Sequence, residues 1–359
     1  MKADHSIFAR TESFCETYKM RLPILLAPMA GACPPSLSIA VANSGGLGAC
    51  GVLLMQPDAI KTWCADVRAG SNGGFQLNLW IPDAAPKREE TTEQAVRTFL
   101  GAWGPEVPAA AGDVMPPDFE EQCEAMLEAN PLIISSIMGL YPTAFVERMK
   151  AKGIKWFATS TTVAEARAAE NAGADVIVAQ GMEAGGHRGA FDPAKAESTM
   201  VGLFSLLPAI VDHVKLPVIA TGGIADARGV AAALALGASA VQIGTGFLRC
   251  PEAKLPTAWS DAIGYTLPEE TLVTRTYSGR SGRSIASAYA RAAIAPGAPV
   301  PAPYPIQRNL TQAMRDIGIK NNDIDRIQAW AGQSSKLAVA KPAGMLIKEI
   351  WDGAKSIIS

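Results

Sequence analysis

The sequence predicts an α/β protein, a (β/α)8 TIM barrel with a smaller C-terminal lobe. Apolar runs rich in Val, Ile and Leu recur eight times, each followed by a turn and then by a helical pattern. Alternation of strand and helix over this length favours a parallel barrel. A doubly wound sheet is the structural alternative, but the Gly-x-Gly-x-x-Gly fingerprint expected after its first strand is missing.

The predicted strands come at regular intervals along the first two thirds of the chain. They cover residues 23–29, 47–53, 75–81, 131–138, 154–159, 175–180, 216–221 and 240–245. Helices fill the gaps, as in 162–172, where Gly173 is placed as a C-terminal stop. The uncharged stretch 229–248 is long enough to span a bilayer, but Gly, Ser, Gln and Thr dilute its hydrophobicity. We therefore predict a short helix and a buried strand there, and no membrane association.

Two regions interrupt the barrel pattern. Residues 82–117 contain several prolines among charges and small residues, which predicts an insertion after strand three, in a position to cover the barrel mouth. After residue 252 the pattern changes again. We assign 1–252 to the barrel and 253–324 to a small substrate-binding lobe, and we expect an amphipathic helix within 325–359 to complete the barrel.

Composition excludes several classes of function. The 359 residues carry 32 basic and 34 acidic side chains, so no positive excess is available to bind nucleic acid. Six cysteines show no Cys-x-x-Cys spacing, and no ligand spacing supports a metal site. The N-terminus has mixed charges and no apolar core, so it is not a secretory signal. These features predict a cytoplasmic enzyme with reduced thiols, either a monomer or a homodimer.

Glycine-rich loops follow the last two predicted strands, where barrels commonly bind phosphate. The first reads Thr-Gly-Gly-Ile at 221–224, and the second reads Gln-Ile-Gly-Thr-Gly at 242–246. Backbone amides without a Cβ beside them can donate to phosphate oxygens. Polar side chains also stand at strand ends, where Asn78 and Gln180 could meet the edge of a heterocycle. We therefore predict a phosphate-bearing heterocyclic ligand at this end of the barrel.

His187 is the candidate acid-base residue. It is one of three histidines and follows the pair Gly185 and Gly186 directly after strand six, where glycine allows close approach to a flat ligand. His5 is expected to be a solvated terminal residue and His213 to sit at a helix C-terminus. Arg280 and Arg283 could meet a substrate carboxylate, although a solvated turn is the preferred interpretation.

Taken together, these segments resemble the nitronate monooxygenase family, formerly called 2-nitropropane dioxygenases. The resemblance covers nearly the whole chain and is carried by the segments 23–31, 44–48, 75–79 and 181–189, the two glycine loops and Trp-Ala-Gly-Gln at 330–333. The last segment and the Tyr-Pro sequence at 304–305 favour the class I-like, nitronate-oxidising branch.

The resemblance implies an FMN-dependent enzyme that oxidises alkyl nitronates of the propionate 3-nitronate type. One electron would pass from the nitronate to FMN, and reaction with O2 would give an oxo compound and nitrite, which would amount to detoxification of the nitronate. His187 matches the catalytic histidine, acting either as a base or, when protonated, as a cation that holds the nitronate. The positions matching FMN-binding or cavity-lining residues are Met29, Asn78, Gln180, Gly185, Gly222, Gly223, Gln242, Ile243, Gly244 and Thr245. Tyr304 and His187 are candidates for substrate binding.

Two other functions remain open from the sequence. One is an NAD(P)H-dependent FMN reductase of the same superfamily, acting on quinones or enoyl thioesters. The other is a flavin-binding barrel without catalysis, in which His187 is incidental.

Overall fold

Eight parallel strands form a barrel in the computed structural model, which describes residues 7–359. The prediction for His5 lies outside these residues. The barrel strands are β1 (Ile24–Leu26), β2 (Gly48–Gly51), β3 (Phe75–Trp80), β4 (Ile133–Ile137), β5 (Lys155–Ser160), β6 (Val176–Gln180), β8 (Val218–Thr221) and β9 (Ala240–Ile243). Each coincides with one of the eight predicted runs, with β5 extending one residue beyond its run, so the predicted fold class is confirmed.

The sheet closes on itself. Its order is β1-β9-β8-β6-β5-β4-β3-β2, every adjacent pair is parallel, and a parallel bridge between Leu25 and Leu47 joins the first strand to the second. Closure removes the exposed sheet edges, and all strands end at the same rim of the barrel.

Helices surround the barrel and build a second lobe. They are α1 (Ile7–Thr17), α2 (Pro35–Asn43), α3 (Pro57–Gly70), α4 (Glu90–Leu100), α5 (Phe119–Ala129), α6 (Thr143–Ala151), α7 (Val163–Asn171), α8 (Leu203–Val211), α9 (Ala227–Ala235), α10 (Thr257–Tyr265), α11 (Ala288–Ala292), α12 (Ile306–Leu310), α13 (Gln312–Lys320) and α14 (Ala343–Ile358). The predicted C-terminal helix is α14, which packs against α9 and α2 on the outside of the barrel.

The barrel interior and the layer outside it are separate apolar clusters. Neighbouring residues of one strand alternate between them: Ile177 packs outward beneath the helices, whereas Val178 points into the barrel. Phe14 and Tyr18, on or just after α1, join the inner cluster and cover one end of the barrel. No pattern predicted this N-terminal helix.

The uncharged stretch 229–248 contributes to α9 and β9, as predicted. Asp226 caps α9 by accepting a hydrogen bond from the backbone of Gly229, and Gly237 ends the turn with φ +108°. Within residues 7–359, no helix combines the length and the hydrophobicity needed to cross a membrane.

The insertion 82–117 packs against the small lobe. Val96 and Leu100 of α4 share one apolar cluster with Tyr277 and Tyr289 of the lobe. None of residues 82–117 lines the large cavity described below. Its apolar side chains face lobe residues that lie far away in sequence, and the expectation that this segment covers the mouth stays a prediction.

A short antiparallel sheet connects the lobe to the barrel. It consists of β10 (Thr271–Thr274), β11 (Gly282–Ile285) and β7 (Gly186–His187), in the order β10-β11-β7. Gly282 pairs with His187. The loop after β6 is thereby held by main-chain pairing to the lobe.

Candidate active site

A cavity of about 420 Å³ opens where the barrel strands end. Eleven of the twelve site residues predicted from the sequence line it, all except Ile243. They are Met29, Asn78, Gln180, Gly185, His187, Gly222, Gly223, Gln242, Gly244, Thr245 and Tyr304. The side chain of Ile243 instead packs in the outer apolar cluster with 1% of its surface exposed. Its strand position turns its side chain away from the interior, and its match to an FMN-binding position stays a prediction.

The two glycine loops present free backbone donors to the cavity. Gly222 and Gly223 have φ values of +110° and +70°, which only glycine adopts without strain. The amides of Gly222, Gly223 and Gly244 donate no hydrogen bond to any residue in the range 7–359. Since Asp226 already caps α9, these loop amides, rather than the helix terminus, are the donors available to a phosphate.

Three amide side chains line the cavity, and they differ in their hydrogen-bond partners. Asn78 donates to Ser135 Oγ at 3.0 Å, and Gln242 accepts from Gln76 Nε2 at 3.0 Å, so each keeps one polar side-chain atom without a partner in the described part of the chain. Gln180 donates to the carbonyl of His187 at 3.1 Å and accepts from the amide of Gly189 at 2.8 Å. Gln180 therefore also fixes the loop that carries the histidine.

The His187 ring stands between two tryptophans on the cavity wall. Its centroid lies 4.5 Å from that of Trp80 and 4.7 Å from that of Trp330, both in edge-on arrangements. Its Nε2 lies 2.7 Å from Ser278 Oγ. Sequence reasoning missed Trp80, although it follows Asn78 by two positions on β3 and so points to the same side. No sequence pattern singled out Ser278.

The imidazole of His187 is neutral at ordinary pH. Burial lowers its pKa to about 3, and the charges of Arg280 and Arg308 act in the same direction. A neutral imidazole can accept a proton, whereas a cationic one cannot. These surroundings therefore favour a base over an anion-holding cation.

Tyr304 and Arg308 lie on the lobe side of the cavity. The buried hydroxyl of Tyr304 has no hydrogen-bond partner among the described residues, and its ring centroid lies 5.0 Å from that of Trp80. Arg308 donates to Gln312 Oε1 at 3.3 Å and forms no ion pair within the described chain. Sequence reasoning missed Arg308, since it lies on a short lobe helix with no motif of its own. Together these side chains place two donors where an anionic group could bind.

Arg280 and Arg283 are buried, not solvated. Arg280 is 4% exposed, pairs with Asp83 at 2.7 Å and donates to the carbonyl of Ala190 at 2.8 Å. Arg283 donates to the carbonyl of Met182 at 3.0 Å. The preferred interpretation of a solvated turn is wrong, and neither arginine lines the cavity. Both instead satisfy carbonyls in and beside the His187 loop.

Glycines bring the loop after β6 against the segment 330–333. A Cβ on Gly332 would lie 2.7 Å from the carbonyl oxygen of Glu183 and 2.9 Å from the amide of Gly185. The amide of Gly332 donates to Thr245 Oγ1 at 3.0 Å. The hydroxyl of Thr245 thus joins the second glycine loop to the segment 330–333. The same segment contacts the loop that carries His187.

His213 is remote from this constellation. It lies beyond the end of α8, and its Nδ1 is 2.7 Å from the carbonyl oxygen of Ala209, an arrangement typical of a helix C-terminus. Within residues 7–359, no group of His, Cys, Asp and Glu side chains is arranged to hold a metal ion.

A family model and two similar relatives compared by sequence carry the same description. The family model described as nitronate monooxygenase matches residues 12–353. A nitronate monooxygenase of Pseudomonas aeruginosa is 34% identical over 345 residues, which cover 95% of this chain and 98% of the relative. One from Paraburkholderia phytofirmans is 36% identical over 334 residues, or 91% of each chain.

Solved structures agree with this result. Nitroalkane oxidase from Streptomyces ansochromogenes superposes with a TM-score of 0.87 at 32% identity, covering 95% of this chain and 98% of that one. FabK from Thermotoga maritima gives a TM-score of 0.75 at 26% identity, covering 96% of each chain. The chain therefore belongs to the nitronate monooxygenase family and is an oxidoreductase enzyme.

Proposed function

We propose that the protein is an FMN-dependent nitronate monooxygenase that oxidises alkyl nitronates of the propionate 3-nitronate type with O2, giving an oxo compound and nitrite. The observation that carries this proposal is the set of groups that line one cavity. Free amides of the glycine loops, the amide side chains of Asn78 and Gln242, and the side chains of His187 and Arg308 all belong to its wall.

The residues present suit FMN. The amides of Gly222, Gly223 and Gly244 form a cradle without side chains, which matches a phosphate monoester. The unpaired amide atoms of Asn78 and Gln242 suit the polar edge of the isoalloxazine ring. When bound, FMN would supply the one-electron redox chemistry.

His187 would act on the substrate as a neutral base. Its low pKa leaves the ring unprotonated at neutral pH, and the flanking tryptophans exclude water from two of its sides. For a neutral nitro compound, the ring would remove the proton from the carbon that bears the nitro group. A nitronate has already lost this proton and would need only to be bound.

Arg308 and Tyr304 support a substrate that carries a carboxylate. Burial raises the pKa of Tyr304, so that its hydroxyl stays protonated and can donate. The guanidinium of Arg308 has no carboxylate partner of its own within the described chain. A substrate carboxylate at this position would satisfy both donors.

Spectroscopy and oxygen consumption test the proposal. The purified protein is expected to show a flavin spectrum, to release FMN on denaturation, and to consume O2 with propionate 3-nitronate. A colourless protein that cannot be reconstituted with FMN would refute the proposal. Rapid anaerobic bleaching of the flavin by NADH, without nitronate oxidation, would favour the reductase instead.

The carboxylate assignment has its own test. Arg308→Gln is expected to raise KM for propionate 3-nitronate by roughly tenfold or more, because a charged hydrogen bond contributes about 1.5–3 kcal/mol. With propyl-1-nitronate, which has no carboxylate, KM should change little. An equal rise for both substrates would contradict the assignment.

A further inference from the structure

The Ser278 hydroxyl lies between the His187 ring and the main chain of Arg280. Ser278 is fully buried, and its Oγ is 2.7 Å from His187 Nε2. The same oxygen is 3.2 Å from the carbonyl oxygen of Arg280 and 3.4 Å from the amide nitrogen of Arg280. Three polar atoms therefore meet one hydroxyl that carries a single proton.

Counting donors and acceptors distinguishes the two possible arrangements. In the first, His187 Nε2–H donates to Ser278, Ser278 donates to the Arg280 carbonyl, and the Arg280 amide donates to Ser278, which makes three hydrogen bonds. In the second, Ser278 donates to an unprotonated Nε2, and the Arg280 carbonyl loses its donor. Ser278 is the only residue in the described part of the chain that donates to this carbonyl. A buried carbonyl left without a donor is costly, which favours the first arrangement.

We propose that Ser278 is a positioning residue that holds the neutral His187 ring in its Nε2–H tautomer, so that unprotonated Nδ1 is the nitrogen offered to the substrate. The inference rests on the proposed function, in which His187 acts as the base. Nδ1 has no hydrogen-bond partner among residues 7–359, and the ring lines the cavity. A neutral histidine held in the opposite tautomer would present an N–H group and could not take a proton there.

The segment around Ser278 is fixed independently of the histidine. The amide of Gly279 donates to the carbonyl of Arg275 at 2.8 Å, and Gly279 has φ +89°. Arg280 is anchored by its ion pair with Asp83 and by its hydrogen bond to Ala190. Because contacts that do not involve His187 hold the main chain on both sides of Ser278, the orientation of the Ser278 hydroxyl as an acceptor does not depend on the histidine.

Nitrogen NMR tests the tautomer directly and without turnover. The chain has only three histidines, so protein labelled with 15N-histidine gives few signals, and His187→Asn identifies the ones of interest. The wild-type protein is expected to show a protonated Nε2 and an unprotonated Nδ1 at neutral pH. A protonated Nδ1 in the wild type would overturn the proposal, even if no variant folds.

Two serine variants separate positioning from general destabilisation. Ser278→Ala should give a mixture of tautomers. Ser284→Ala is the matched control, because Ser284 is also fully buried, lies on β11, and has a hydroxyl with no partner. The control should keep the wild-type pattern. An unchanged pattern in folded Ser278→Ala would also overturn the proposal.

Kinetics with two substrates give a second measurement. Loss of one hydrogen bond predicts that Ser278→Ala lowers kcat/KM for nitroethane, which must lose a proton, by roughly 3- to 10-fold. The value for ethyl nitronate, which needs no proton removal, should fall much less. An equal fall for both substrates would indicate a structural role only, and no wild-type turnover of nitroethane would contradict the base role. Absence of nitronate oxidation by the wild type would refute the proposed function and leave the NMR result intact.

Discussion

Replacing Gly332 with alanine should destabilise the protein and loosen the His187 loop together. The new Cβ would lie 2.7 Å from the Glu183 carbonyl oxygen and 2.9 Å from the Gly185 amide nitrogen. Both atoms belong to the main chain, so neither can move away by a change of rotamer. The loop and the segment 330–333 would have to separate by several tenths of an ångström.

The expected cost follows from overpacking. Added atoms in a packed interior cost about 1–3 kcal/mol in free energy of unfolding. The unfolding entropy is about 2.1 cal/mol/K per residue, so for a chain of this length the melting temperature should fall by roughly 1–4 °C. The same separation would stretch the hydrogen bond from the Gly332 amide to Thr245 Oγ1. FMN affinity should therefore fall along with stability.

Thermal or urea unfolding of the variant and a titration with FMN measure the two effects. Gly229→Ala is the matched control, since its Cβ would meet Ile224 at an ordinary distance of 3.4 Å and it lies within α9. In the control, alanine should be neutral or stabilise the helix by up to about 1 kcal/mol. If Gly332→Ala left stability and FMN affinity unchanged, the close contact between the two segments would not constrain the site.

Three further predictions follow from the site. Because the folded-state pKa of His187, about 3, lies below its usual 6.5, the unfolded chain binds more protons than the folded chain between these pH values. The free energy of unfolding should therefore rise with pH in this window by up to about 1.4 kcal/mol per pH unit. Urea titrations at several pH values should show that His187→Asn loses this contribution while it still binds FMN. Asp83→Asn, which leaves buried Arg280 without its ion pair, should lower the free energy of unfolding by about 1–3 kcal/mol. Glu124→Gln, in an exposed ion pair, should lower it by less than about 1 kcal/mol. Equal losses would contradict a special contribution of the buried pair to stability. Gly223→Ala, at φ +70°, should weaken FMN binding by roughly tenfold or more but leave riboflavin binding nearly unchanged, because only FMN carries the phosphate; an equal loss for both flavins would contradict the phosphate assignment.

Local sequence patterns determined the barrel strands and identified the glycine loops and polar residues that line part of the cavity. Strand character depends on apolar, β-branched runs and on the turns that follow them, which are features of neighbouring residues. The glycine loops after the last two strands and the polar residues Asn78 and Gln180 were recognisable because strand ends of a barrel meet at one rim. Ile243 does not line the cavity, because a loop motif does not specify which of its side chains face inward.

Only the tertiary structure brought together residues that are distant in sequence. Ser278 meets His187 across 91 positions, and Arg280 is neutralised by Asp83 across 197 positions. The insertion 82–117 packs against the lobe because its apolar side chains are buried among lobe residues, and no local pattern specifies that contact. The sequence by itself therefore determined the barrel and the location of the site at its rim, since these follow from short-range patterns. The protonation state and orientation of His187 follow only from the tertiary structure, because both depend on burial and on hydrogen bonds from segments that are distant along the chain.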